Sequence, residues 1–225
     1  MFRYQSITYP VALVVALISH TSADAQQGVL KVQIVCNDMC CDGCAQTIAA
    51  QLYAAPGVTK VESDVPSRVI TVTAKASPKL TLERLWHAAE QGKGGPSKLV
   101  GPNATYAWVR PESLKPEQRW PAGKYFVVMR TLQDKEKAQL IAEQLHSVRG
   151  VESVQIDMAQ RALFIQSASD SVLSPWALLA AAERVQTDPH VIGGSYGVFI
   201  IERPADATRA ASTQAGQSQS QGAVR

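Results

Sequence analysis

The chain has 225 residues, 46% hydrophobic and 18% charged, the balance of a globular protein with room for one large domain or two small ones. A formal charge of only +3, with lysines and arginines scattered and no basic stripe, argues against a nucleic-acid partner. All four cysteines lie between Cys36 and Cys44, so disulfides stapling distant loops within one chain are excluded.

Residues 1–25 have the pattern of a signal peptide. Arg3 gives the positive start, Val11 to Ile18 form an apolar run too short to span a bilayer, and Ala23-Asp24-Ala25 has the small-x-small form of a cleavage site. The mature chain is therefore expected to begin near Gln26 and to be secreted or periplasmic, with no membrane span after cleavage. Next, Leu30, Val32 and Ile34 alternate with Lys31 and Gln33, the period of a half-buried strand. The cysteine segment follows, and then a helix with Cys44, Ile48 and Leu52 on one face, stopped at Pro56-Gly57. Val58 to Asp64 and Val69 to Ala74 read as two strands around a turn at Pro66-Ser67. Thr81 suits the N-cap of a second helix whose buried side carries Leu82, Leu85, Ala88 and Ala89. A final strand is expected near Tyr106 to Arg110.

The same order then recurs. Gly57-Val58 returns 93 positions on as Gly150-Val151, and the same offset pairs Val61 with Val154, Asp64 with Asp157 and Arg68 with Arg161. It also pairs Ala88-Ala89-Glu90 with Ala181-Ala182-Glu183 and Arg110-Pro111 with Arg203-Pro204. Roughly a quarter of positions 30–111 match their partners without a gap, which marks a duplication rather than a solenoid of many short units. In the second copy Ser174 takes the cap role before Pro175, and the last strand matches Phe199 to Arg203. The expected architecture is α+β, two ferredoxin-like β-α-β-β-α-β domains in tandem, each a four-stranded antiparallel sheet with two helices on one face. The domains would cover 26–111 and 123–204, with a linker at 112–122. A tail at 205–225, rich in Ser, Gln, Ala and Gly, is expected to be disordered. Each copy, carrying all six elements, is expected to fold by itself.

The segment Cys36-Asn37-Asp38-Met39-Cys40-Cys41-Asp42-Gly43-Cys44 carries the chemistry. Cys41 lies on the loop and Cys44 in the first helical turn, where unpaired N–H groups can lower a thiol pKa into a range of about 3.5–7.5. Two thiolates two residues apart converge on one point and suit Cu(I), Hg(II) or Zn(II). A structural zinc site needs four ligands. By count Cys36 and Cys40 could supply the rest, although their alternate strand and loop positions work against a four-way convergence. In the second copy Leu132, Asp134 and Lys137 replace Met39, Cys41 and Cys44. A carboxylate and an ammonium would pair with each other, so that copy reads as a scaffold, a contact surface or a duplicate kept for packing. His87, His146 and His190 stand singly, as surface or cap residues do. No nucleophile–base pair, phosphate loop or carboxylate pair marks the chain as an enzyme.

Met39-Cys40-Cys41-Asp42-Gly43-Cys44, between a strand and a helix, resembles the Met-x-Cys-x-x-Cys loop of heavy-metal-associated domains, and Gly57-Val58 resembles that family's helix end and second strand. The resemblance covers residues 28 to about 111 and extends to the second copy in fold pattern only. The family includes copper chaperones, a periplasmic mercury-binding protein and domains of metal-pumping ATPases. It implies two-coordinate binding at Cys41 and Cys44, with Met39 packed under the loop rather than ligating. Asn37 and the additional Cys36 and Cys40 depart from its pattern. Lys93, after the second helix, stands where eukaryotic-type copper chaperones carry a lysine facing the loop; its ammonium would offset an anionic complex, or it is a solvated surface lysine. The expected function is soft-metal trafficking or sequestration, Cu(I) first, with a metal-donor or metal-acceptor protein as partner. Two alternatives remain open, a thiol-disulfide redox protein and an interaction module with idle cysteines. The sequence leaves the oligomeric state undefined.

Overall fold

Strand β1 (Val29–Cys36) follows the alternation directly, burying Val32, Ile34 and Cys36 and exposing Lys31 and Gln33. Helix α1 (Asp42–Tyr53) buries Ala45, Ile48 and Leu52, one stripe at helical spacing. Strands β2 (Val58–Asp64) and β3 (Val69–Lys75) form the next hairpin. Helix α2 (Leu82–Gln91) starts at Thr81, whose hydroxyl accepts a hydrogen bond from the Arg84 N–H at 3.2 Å. These bounds come from a computed structural model that describes residues 28–169 and 171–204. The expected signal peptide at 1–25 and tail at 205–225 lie outside the described residues.

Each copy has one strand more than expected. After α2 the chain makes a hairpin of β4 (Pro96–Val100) and β5 (Thr105–Val109), so the strand expected near Tyr106 is the fifth and not the fourth. Pro96 hid β4 from the alternation, yet a proline is tolerated as the first residue of a strand. Two short 3-10 turns, Pro111–Ser113 and Pro116–Gln118, lead to the second copy. That copy repeats the order as β6 (Lys124–Met129), α3 (Lys135–His146), β7 (Val151–Asp157), β8 (Ala162–Ser167), α4 (Pro175–Glu183), β9 (Pro189–Gly194) and β10 (Gly197–Glu202).

The two expected four-stranded sheets are in fact one sheet of ten strands, ordered β2-β3-β1-β4-β5-β10-β9-β6-β8-β7. The extra strands make the difference. Strands β5 and β10 would otherwise be exposed edges, and they pair with each other antiparallel from Val198↔Val109 to Glu202↔Thr105. The middle pair is Ala107↔Ile200, two residues that are equivalent under the 93-residue repeat. The seam is therefore built like a two-fold subunit interface, with the same surface contributed by each side.

Aromatic rings cover the seam on the helix face. Trp86 of α2 lies 6.1 Å from Trp108, 6.0 Å from Trp176 of α4 and 5.4 Å from Phe199. Trp176 in turn packs 5.2 Å from Tyr106 and 4.9 Å from Phe199. Edge-on and tilted pairs of this kind add about 0.5–1.5 kcal/mol each beyond their buried area. One apolar core thus runs from Val32 in the first copy to Ile201 in the second. On the opposite face Trp120, in the expected linker, stacks 4.5 Å from Phe126 and 5.9 Å from Phe164. Among the described residues no helix is long and apolar enough to cross a membrane.

Candidate metal centre

The cysteine loop leaves β1 at Cys36 and is fixed by its own backbone. The Asn37 N–H donates to the Gly95 carbonyl at 3.1 Å, the Asp38 N–H to Gly94 at 3.0 Å, and the Met39 N–H back to Cys36 at 3.1 Å. Side chains hold it from outside. Arg68 Nη1 donates to the Asn37 carbonyl at 3.0 Å, Ser97 Oγ to Asn37 Oδ1 at 3.0 Å, and Arg110 Nη2 to Asp38 Oδ2 at 3.3 Å. Met39 is wholly buried and anchors the loop to the core. The next two residues, Cys40 and Cys41, are left exposed above it.

Cys41 is the N-cap of α1, with extended backbone and no capping bond from its side chain, so its thiol stays free for other partners. Cys44 is the third residue of the helix and half-buried. The Sγ atoms of Cys40 and Cys41 each lie 3.3 Å from the Sγ of Cys44. All three sulfurs fall within 4.8 Å of one another.

Cys40 and Cys44 are shifted in opposite directions. The backbone of Cys40 bonds the Cys44 sulfur, and with the thiols of Cys41 and Cys40 it lowers the Cys44 pKa from the ordinary 9.0 to about 7. Cys40 is raised to about 11, first through its hydrogen bond with the Cys44 thiol and then through the same contact with Cys41. Near neutral pH Cys44 thus approaches its charged form, with the sulfurs of Cys40 and Cys41 each 3.3 Å from it. Such a group presents polarisable negative sulfur at the surface, which suits a soft cation or an incoming thiol.

Cys36 does not join the cluster. The thiol count allowed it as an additional ligand, but it points into the core with Val32 and Ile34 and has no exposed surface. Burial, and then the charge of Asp38, push its pKa up to about 12, which keeps it a neutral thiol. Cys40, the other additional candidate, is brought into the cluster with Cys41 and Cys44. Met39 takes a packing position. Lys93 is exposed, with a left-handed φ of 58°, and lines a cleft beside the loop with Asp38, Glu90 and Arg110. No hydrogen bond or ion pair joins it to the thiols among the described residues.

The residues that hold the loop carry a signal of their own in the sequence. Arg68 and Arg110 both recur under the 93-residue repeat, as Arg161 and Arg203. Arg161 Nη1 donates to the Arg130 carbonyl at 3.1 Å, the same bond that Arg68 makes to Asn37. The repeat therefore preserves the frame of the loop while its thiols differ. Gly94 and Gly95 were also passed over. A Cβ on Gly94 would press on Cys36 Sγ at 3.1 Å, and Gly95, at φ +56°, would drive one into the Asp38 carboxylate.

In the second copy Leu132 is buried like Met39, but Asp134 and Lys137 do not form the expected ion pair. Asp134 caps α3, accepting the Glu136 N–H at 2.9 Å, because the open N–H groups of a helix start are its nearest donors. Lys137 Nζ reaches the Gln186 carbonyl at 3.4 Å instead. His87 bonds Glu90 at 2.8 Å on the surface of α2.

No curated protein matches the chain. Among solved structures it is similar to the soluble region of the P-type ATPase CopA from Bacillus subtilis, at 12% identity and a TM-score of 0.33, over 80% of this chain and 94% of that one. A second structure, of the N-terminal soluble domains of Bacillus subtilis CopA, matches at 15% identity and 0.30, over 73% and 94%. The yeast copper transporter domain, solved in apo and Cu(I)-loaded states, matches at 13% and 0.27, over 30% and 92%. The family model that matches is the heavy-metal-associated domain, over residues 36–94, which carry the cysteine loop, α1 and α2.

Proposed function

We propose that this protein is an exported carrier of one soft metal ion, held at Cys41 and Cys44 with Cys40 beside them, and passed to or from a partner protein in trafficking or sequestration. Cu(I) is the first candidate ion, with Hg(II) and Zn(II) as alternatives. The observation that carries the reading is the convergence of three sulfurs within 4.8 Å at the start of α1, inside a heavy-metal-associated domain. Exposure of Cys40 and Cys41 favours transfer, since a partner's thiol can attack the bound ion without unfolding the loop. Lys93 serves as a counter-charge beside the loop, and the second copy serves as the scaffold that closes the sheet. Export rests on the pattern of residues 1–25.

One observation favours a second reading, thiol–disulfide exchange: Cys41 and Cys44 lie in sulfur contact at 3.3 Å and the Cys44 pKa is lowered to about 7. Native mass spectrometry of the protein isolated from its own compartment separates the two. The carrier reading expects the mass of one bound soft ion with the thiols reduced. A metal-free chain two hydrogens lighter would overturn it in favour of redox chemistry, and a metal-free reduced chain would overturn both.

A further inference from the structure

We infer that Cys40, Cys41 and Cys44 act together as a three-thiolate site for a thiophilic divalent ion that takes three sulfurs and no fourth protein ligand. This rests on the metal-binding reading above and extends it from two sulfurs to three.

Geometry is the first support. With metal–sulfur bonds of about 2.3 Å, a linear ion holds its two sulfurs about 4.6 Å apart and a trigonal ion holds three about 4.0 Å apart. The three sulfurs here already lie within 4.8 Å, and the two contacts of 3.3 Å to Cys44 need only open slightly. Cys40 and Cys41 are exposed, so side-chain rotation suffices and the core need not move. Among the described residues the Cys40 thiol meets only the other two thiols of the cluster and has no structural task that metal binding would disturb.

The donor set is the second support. Among the described residues no His, Asp or Glu joins the three thiols, and Cys36 is committed to the core. The four ligands of a closed tetrahedral zinc site are thus not assembled, whereas a three-coordinate set is complete.

Charge then selects the ion. As each sulfur–metal bond forms, the thiol gives its proton to solvent. Three thiolates leave a monovalent ion in a dianionic complex and a divalent ion in a monoanionic one. Asp42 lies next to Cys41 in the chain and Asp38 two residues before Cys40, so added negative charge meets carboxylates as well as the N-terminus of α1. A third thiolate therefore adds little for Cu(I), which is satisfied by two, and much for a soft divalent ion.

The test compares the full chain with Cys40→Ser, using Pb(II) as the divalent probe and Cu(I) as the monovalent one. X-ray absorption counts the sulfur neighbours of bound Pb(II), and competition titrations give both affinities. Three sulfurs in the wild type are expected, with Cys40→Ser weakening Pb(II) by at least about tenfold and Cu(I) by no more than about threefold. Equal Pb(II) affinity in the two proteins, or two sulfurs around Pb(II) in the wild type, would overturn the three-thiolate site while leaving Cu(I) binding at Cys41 and Cys44 intact. Failure of the wild type to bind either ion would instead overturn the metal-binding reading on which it rests.

Discussion

In the thiol cluster Cys44 is tuned toward its charged form, and the tuning comes from neighbours rather than from burial. The backbone of Cys40 and the thiols of Cys41 and Cys40 favour the Cys44 thiolate and bring its pKa to about 7, while Cys40 is pushed to about 11. Alkylation follows the thiolate, so a brief iodoacetamide pulse on the reduced, metal-free protein should label Cys44 well before Cys40, with a midpoint near pH 7. Peptide mapping by mass spectrometry reads the order, and Cys40 reacting first would contradict this assignment. The sign for stability follows as well. Between pH 7 and 9 the folded chain has released the Cys44 proton that the unfolded chain still holds, so this group stabilises the metal-free fold increasingly as pH rises through that window.

The loop works as an element because two other elements hold it, the β2–β3 turn through Arg68 and the α2–β4 connection through Gly94 and Gly95. Gly95→Ala should lose about 1–2 kcal/mol from the left-handed backbone alone. It would also displace Asp38 from Arg110. Urea denaturation of the metal-free protein measures this, and unchanged stability would mean that the connection does not clamp the loop. Much at this scale was legible in the sequence. The alternation Val32, Ile34, Cys36 places Cys36 on the buried face, and only its proximity to the other cysteines made it look like a ligand. The spacing of Ile48 and Leu52 gave α1, and Thr81 gave the cap of α2. The β4 strand was not legible, because Pro96 and the Gly92–Gly95 stretch read as the close of a helix and a loop. Its strand state depends on pairing with β1, Ile34↔Leu99, a contact far apart in sequence.

At the scale of the whole molecule, the duplication has produced one body rather than two. The repeat announced itself through core identities such as Ile48/Ile141, Leu52/Leu145 and Leu85/Leu178, all fully buried. What it could not announce was the seam, since Tyr106 and Phe199 mark buried strand faces in each copy without saying that β5 and β10 pair. The halves, each expected to fold by itself from its complete set of elements, share one sheet and an aromatic core over Trp86, Trp176 and Phe199. The two halves keep the same loop frame, Arg68 and Arg161, but only the first has thiols on it. One soft ion per chain, bound in the first half, is therefore expected. A Cu(I) competition titration of the full chain beside Cys41→Ser and Cys44→Ser tests this most directly. One equivalent bound by the wild type, and abolished by either substitution, is the predicted result; equal binding in all three proteins would contradict it.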